Sequence, residues 1–140
     1  GSILRFAACM GLTVDIIEPA GFRIGDKSLQ RAGMDYSERA ALYRHDDWEQ
    51  FSIWRNEQKR RLILMTTQAQ NTYREFQFRG NDCLLFGRES AGVPQNVHDS
   101  ANERLVIPMQ GGFRSINLAM SVSMVAGEAL GQTGQMSQVM

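Results

Sequence analysis

The stretch from Ile107 to Leu130, IPMQGGFRSINLAMSVSMVAGEAL, limits what this chain can fold into more than any other. It reads as the end of a buried strand, a Gly-Gly turn, a capping triplet (Ser115, Ile116, Asn117) and a helix that is small and apolar almost all round. A helix without a polar face has nothing to offer water, so it is expected in a core or against a partner subunit. The triplet sets the helix N-terminus, with its free N–H groups, beside the strand end. A ligand is expected there.

The rest of the chain supplies the sheet that such a helix needs. Ser2 can cap a first helix with Ile3, Leu4, Phe6, Ala7 and Met10 on its apolar face, and Gly11 is its expected stop. TVDIIEP then reads as a short strand, and Asp26 is expected to cap the helix KSLQRA, which ends at Gly33. Ala40 to Tyr43 reads as a brief strand. Asp46 or Asp47 caps a helix whose Trp48, Phe51 and Trp54 form one core stripe, with Lys59, Arg60 and Arg61 expected to end it. LILMTT, CLLFG and ERLVIPM are three further apolar strands, and Pro94 starts a short helix between the last two. Near-continuous apolar strands alternating with helices imply an α/β domain, a parallel sheet covered on both faces. Gln68 to Asn81 is expected to be polar and irregular, and Gly131 to Met140 a fraying tail.

Composition narrows the function classes. At 140 residues, 43% hydrophobic, a single domain over residues 1–140 is expected. Lys+Arg 15 against Asp+Glu 15 argues against coating nucleic acid by bulk charge, though a local basic face stays open. Cys9 and Cys83 sit in apolar runs, so they read as core residues of a cytoplasmic protein rather than a disulfide or metal framework. His45 and His98 lack metal-ligand spacing and are expected on the surface, so no metal is expected. Neither a membrane span nor a secretory signal is read from the sequence. The chain opens directly into GSILRFAACMGL, as a helix entered partway through a motif, and an N-terminal piece is expected before it.

Three strands end in small or polar loops: Met65-Thr66-Thr67, Gly87 to Gly92 and Pro108 to Gly112. In open α/β sheets ligands bind at the carboxyl ends of strands, which makes these loops one candidate pocket. G-x-G-x-x-G, G-x-x-x-x-G-K-[ST] and G-x-S-x-G are all missing, which disfavours a nucleotide-binding regulatory domain or a serine hydrolase.

GSILR, LLFGRESAGVP and IPMQGGFRSINLAMSVSMVAGEA resemble, in order and spacing, the three motifs of the SpoU (SPOUT superfamily) RNA ribose 2′-O-methyltransferases. Between the first two, IEPAGFRIGDKSLQRAGMDY is similar to a segment of the small single-domain members that methylate the tRNA wobble ribose. The resemblance spans Gly1 to about Leu130. It implies a trefoil-knotted, mainly parallel α/β fold, a path that sequence physics alone would not propose. It also implies S-adenosylmethionine as methyl donor, S-adenosylhomocysteine as product, a homodimer, and tRNA as partner, with rRNA or another RNA as the alternative.

Position by position, the resemblance implies donor binding by Met65, Thr66, Gly87, Ile107, Met109, Ser115 and Leu118. Glu89 and Asn117 match the acidic residue of motif two and the Asn of motif three, and Arg5 matches the motif-one arginine implicated in catalysis. Taken alone, Arg5 is a lone charge that could simply snorkel to solvent. Because arginine stays protonated at neutral pH, holding an RNA phosphate fits it better than acting as a base. Arg23, Lys27, Arg31 and Arg114, with Arg39 and Arg44, are the candidates for RNA contact. Two departures stand out: the family's first strand and motif-one Asn would precede Gly1, and Gly127 occupies the place of a tyrosine. A non-catalytic RNA-binding dimer of the same fold is the remaining alternative.

Overall fold

Gly11, with φ of 69°, ends the first helix where the sequence places a stop. The computed structural model describes residues 2–18, 41–87, 93–111 and 116–134. The chain forms two units, Gly1–Gln58 and Lys59–Met140. In the first, helix α1 (Ser2–Met10) buries Leu4 and Ala7. Ser2 is already helical rather than a cap, and Ser2, Arg5 and Cys9 share the exposed side. Cys9 is therefore not a core residue as expected. Its helical phase, two residues after Ala7, turns it away from the buried stripe.

Strand β1 (Thr13–Ile17) pairs in parallel with β2 (Ala41–His45), in register from Thr13 opposite Ala41 to Ile17 opposite His45. Helix α2 (Trp48–Glu57) begins at Asp47, whose carboxylate accepts the Gln50 N–H at 2.9 Å. Its aromatic stripe forms as expected: Phe51 is buried, with the Trp48 and Trp54 rings 5.4 and 5.8 Å away. The cations at 59–61 do not end this helix. It stops at Glu57, and Lys59 follows in the left-handed conformation, φ 54°, in the post-helix place usually taken by glycine.

The second unit is built around β3 (Leu62–Met65), flanked by β4 (Cys83–Phe86) and β5 (Glu103–Leu105), all parallel. Central position explains composition: Leu62, Ile63 and Leu64 have no exposure, which continuous apolar strands require. Helix α3 (Gln95–Ser100) starts after Pro94, as read from the sequence. Helix α4 (Leu118–Thr133) is capped by Asn117 and closed by Gly134 at φ 76°. It thus extends through Gly131, Gln132 and Thr133, into the segment expected to fray. Gln132 explains the extension: its Oε1 accepts the Phe78 N–H and its Nε2 donates to the Phe76 carbonyl, both at 2.8 Å.

That bond pair also corrects the view of 68–81 as a polar loop, because Tyr73 and Phe78 enter the core with Ile63, Leu105 and Val125. α4 is not buried all round within the chain. Val125, Ala126 and Leu130 face inward, whereas Met120 and Met124 are 63% and 42% exposed. Every described strand pair is parallel and helices accompany both sheets, which is the expected α/β class. Among the described residues no helix is long and apolar enough to cross a membrane. The expected helix after Asp26 lies outside the described residues.

Candidate active site

Parallel pairing brings the ends of the second unit's strands to one edge. Met65 stands opposite Phe86 on one side and Leu105 on the other, so Thr66 and Gly87 leave the sheet side by side. Thr66 N–H donates to the Leu105 carbonyl at 2.8 Å, and Thr66 Oγ accepts from Gln68 N–H at 3.2 Å. Val106 is tied in from the other side: its N–H donates to the Asn71 carbonyl at 2.9 Å. Met65, Phe86 and Ile107 are partly buried against the core cluster. The edge is therefore an apolar shelf bordered by strand-end backbone groups, the setting in which an open α/β sheet binds ligands.

Of the predicted donor-binding residues, Met65, Thr66 and Gly87 are placed together at this edge, and Ile107 lies two residues beyond the end of β5, after Val106. Met109 is half-buried in the next turn of chain, and half-buried Leu118 is the first residue of α4. Asn117 has a structural duty: its Oδ1 accepts the Ala119 and Met120 N–H groups at 2.9 and 3.3 Å. Arg5 belongs to the first unit, on the exposed side of α1. Glu89, Ser115, Arg114, Arg23, Lys27 and Arg31 lie outside the described residues.

Two polar constellations escaped the sequence reading. His45 is not a surface residue. Its side chain is 11% exposed, its Nε2 lies 2.9 Å from Asp15 Oδ1, and its ring meets Phe51 and Trp54 at 5.2 and 5.3 Å. Register explains the pair: Asp15 opposes Tyr43, so His45 is its diagonal neighbour on the same sheet face. His98 is likewise partly buried, at 21% side-chain exposure. The second constellation joins Arg61 to Asp82. Nε and Nη2 donate to the two carboxylate oxygens at 2.9 and 2.7 Å, and this hydrogen-bonded pairing raises the guanidinium pKa above its ordinary value. Asp82 also accepts the Arg79 N–H at 2.8 Å. Neither pair had a local sequence signal, since the partners lie 30 and 21 residues apart. Among the described residues no group of three or more His, Cys, Asp and Glu is arranged to hold a metal.

Residues 1–127 match the SpoU rRNA Methylase family. The chain belongs to this family. A relative from Beijerinckia indica subsp. indica, named tRNA (cytidine(34)-2′-O)-methyltransferase, is 50% identical over 140 residues, all of this chain and 88% of its own length. A solved structure titled "Structural insights into the 2-OH methylation of C/U34 on tRNA" superposes with a TM-score of 0.83. It is 36% identical, over 94% of this chain and 80% of that one. A SpoU methyltransferase from Streptomyces viridochromogenes, in complex with the cofactor AdoMet, gives a TM-score of 0.81 over 94% of this chain and 54% of that one. At 22% identity it speaks for the fold alone.

Proposed function

We infer that the protein is an S-adenosylmethionine-dependent methyltransferase acting on the ribose 2′-OH of the tRNA wobble nucleotide. The observation that carries this reading is the convergence of three strand ends, two of which lead into family motifs: Met65 is aligned with both Phe86 and Leu105, so that Thr66, Gly87 and the Val106–Ile107 segment share one edge. The relative that is 50% identical over the whole chain supports tRNA as the substrate.

The residues fit the donor. Half-buried apolar Met65 and Ile107 suit the faces of an adenine ring, and strand-end backbone groups suit its polar edge. When bound, S-adenosylmethionine supplies an electrophilic methyl group on a sulfonium. The chain's task is to hold the ribose in line with that methyl and to help one proton depart, which makes positioning the larger contribution. Arg5, cationic at neutral pH, holds an RNA phosphate rather than taking the proton. Asn117 fixes the start of α4 and presents its side chain there, and Glu89 and Ser115 complete the motif-two and motif-three contributions. Arg23, Lys27, Arg31 and Arg114 meet the RNA backbone. The working form is a homodimer in the cytoplasm, with the knotted path implied by the motifs; the exposed apolar side chains of Met120 and Met124 on α4 support the dimer.

The test is methyl transfer from labelled S-adenosylmethionine to unmodified tRNA by the full-length protein, with mass spectrometry of nucleosides locating the methyl group. A 2′-O-methylated wobble nucleotide is expected. Transfer to rRNA but not tRNA would replace the substrate, and donor binding without transfer to either would overturn the catalytic reading.

A further inference from the structure

A cleft of about 480 Å³ opens in the second unit, lined in part by Arg61, Asn71, Thr72, Glu75, Phe76 and Arg79. None of the candidate donor-binding residues lines it. Its walls are fixed before any ligand arrives. Arg61 is held by the two Asp82 oxygens and by the Gln77 carbonyl at 3.1 Å, with its guanidinium carbon 4.8 Å from the centre of the Phe76 ring. Gln132 pins the backbone on both sides of Gln77, and Phe78 meets Phe76 edge-on at 5.0 Å. A guanidinium has five N–H donors. Three are committed at Nε and Nη2, and Nη1 hydrogen-bonds none of the described residues.

The chemistry of this cleft selects its ligand class. A guanidinium locked over the Phe76 ring leaves its outer face to stack on a planar base, and the Nη1 N–H pair suits the carbonyl and ring-nitrogen acceptors on a base edge. Exposed Arg79 suits a phosphate, while Asn71 and Thr72 add neutral hydrogen-bonding groups. Asp82 is turned to Arg61 and the Arg79 N–H, which leaves Glu75 as the carboxylate among the lining residues. The cleft also adjoins the donor edge, because Asn71 O accepts from Val106 N–H at 2.9 Å and Tyr73 N–H donates to Val106 O at 3.2 Å. Val106 immediately precedes Ile107.

We propose that this cleft is a second RNA subsite, which takes an unpaired nucleotide flanking the one that is methylated. The inference rests on the RNA-methyltransferase reading and adds a determinant of RNA affinity outside the three motifs. Steady-state methylation by the full-length protein tests it, with KM for tRNA, KM for S-adenosylmethionine and kcat measured separately. Arg79→Glu is expected to raise the tRNA KM about tenfold and to flatten the salt dependence of binding by about one phosphate contact, with donor KM and kcat unchanged. Glu75→Lys is expected to lower the tRNA KM. Asp99→Lys, the same charge change on α3, is the control and is expected to leave it alone. An Arg79→Glu effect below about twofold, or Asp99→Lys matching Glu75→Lys as bulk charge would, overturns the subsite. If the unaltered protein methylates no RNA, the underlying reading fails instead.

Discussion

The two units are held together by different physics. In Lys59–Met140 the weight rests on Leu62, Ile63, Leu64, Leu105 and Val125, side chains with essentially no exposure. In Gly1–Gln58 the buried apolar residues among those described are Leu4, Ala7 and Phe51, while polar clasps join the strands: Asp15 to His45 at 2.9 Å and Glu18 to Arg44 at 3.2 Å. A two-stranded sheet is marginal unless something packs on it, and here the Phe51 stripe of α2 does so through His45. Apolar burial scales with area and tolerates salt, whereas exposed ion pairs contribute little and are screened. Arg61 and Asp82 form a polar clasp in the second unit as well, so the units differ chiefly in how much fully buried apolar surface stands behind their polar pairs.

This contrast can be broken experimentally, beginning with the largest effect. Leu64→Ala, at the fully buried centre of β3, is expected to cost about 4 kcal/mol, read from urea unfolding followed by far-UV circular dichroism. Phe51→Ala is expected to cost about 3 kcal/mol. Its own probe is tryptophan fluorescence, because Trp48 and Trp54 are the chain's two tryptophans and both flank Phe51. Asp82→Ala strands a mostly buried guanidinium and the Arg79 N–H, for an expected loss of about 2 kcal/mol in the same denaturation assay.

Asn117 sharpens the question at the site itself. Asn117→Ala is expected to cost about 1 kcal/mol through loss of the cap, whereas Asn117→Ser keeps a capping oxygen and should be near neutral in stability. If Asn117→Ser nonetheless loses methyl transfer, the side chain does more than cap; full activity in that variant would reduce Asn117 to a structural part. The smallest effect belongs to Arg44→Ala. Its side chain is 42% exposed, so the loss should stay below about 0.5 kcal/mol and vanish in high salt; a loss above about 1 kcal/mol would show that this exposed pair carries real weight in the first unit.

Local pattern carried much of this structure. Apolar runs marked β1, β3, β4 and β5, the three-residue aromatic spacing marked α2, and Asp47, Pro94, Gly11 and Asn117 marked helix boundaries close to where they occur. The apolar strand runs and the loops after them put Met65, Thr66, Gly87 and Ile107 at or just beyond strand ends. Other features had no such mark. Tyr73 and Phe78 are isolated aromatics in a polar stretch, so no periodicity shows that they reach the core. His45 has polar neighbours in sequence and aromatic ones in space.

What the amino-acid sequence determined by itself is therefore most of the described elements, several of their boundaries, and the family to which the motifs belong. Each depends on interactions within a few residues or on residue types at short spacings. What only the tertiary structure decided is which distant groups meet: Asp15 with His45, Arg61 with Asp82, and Gln132 with the Phe76 to Phe78 backbone. Those meetings follow from strand register and from where a helix ends against a loop. A one-residue slip in strand register would send His45 to the opposite face of its sheet and leave its pair with Asp15 unmade.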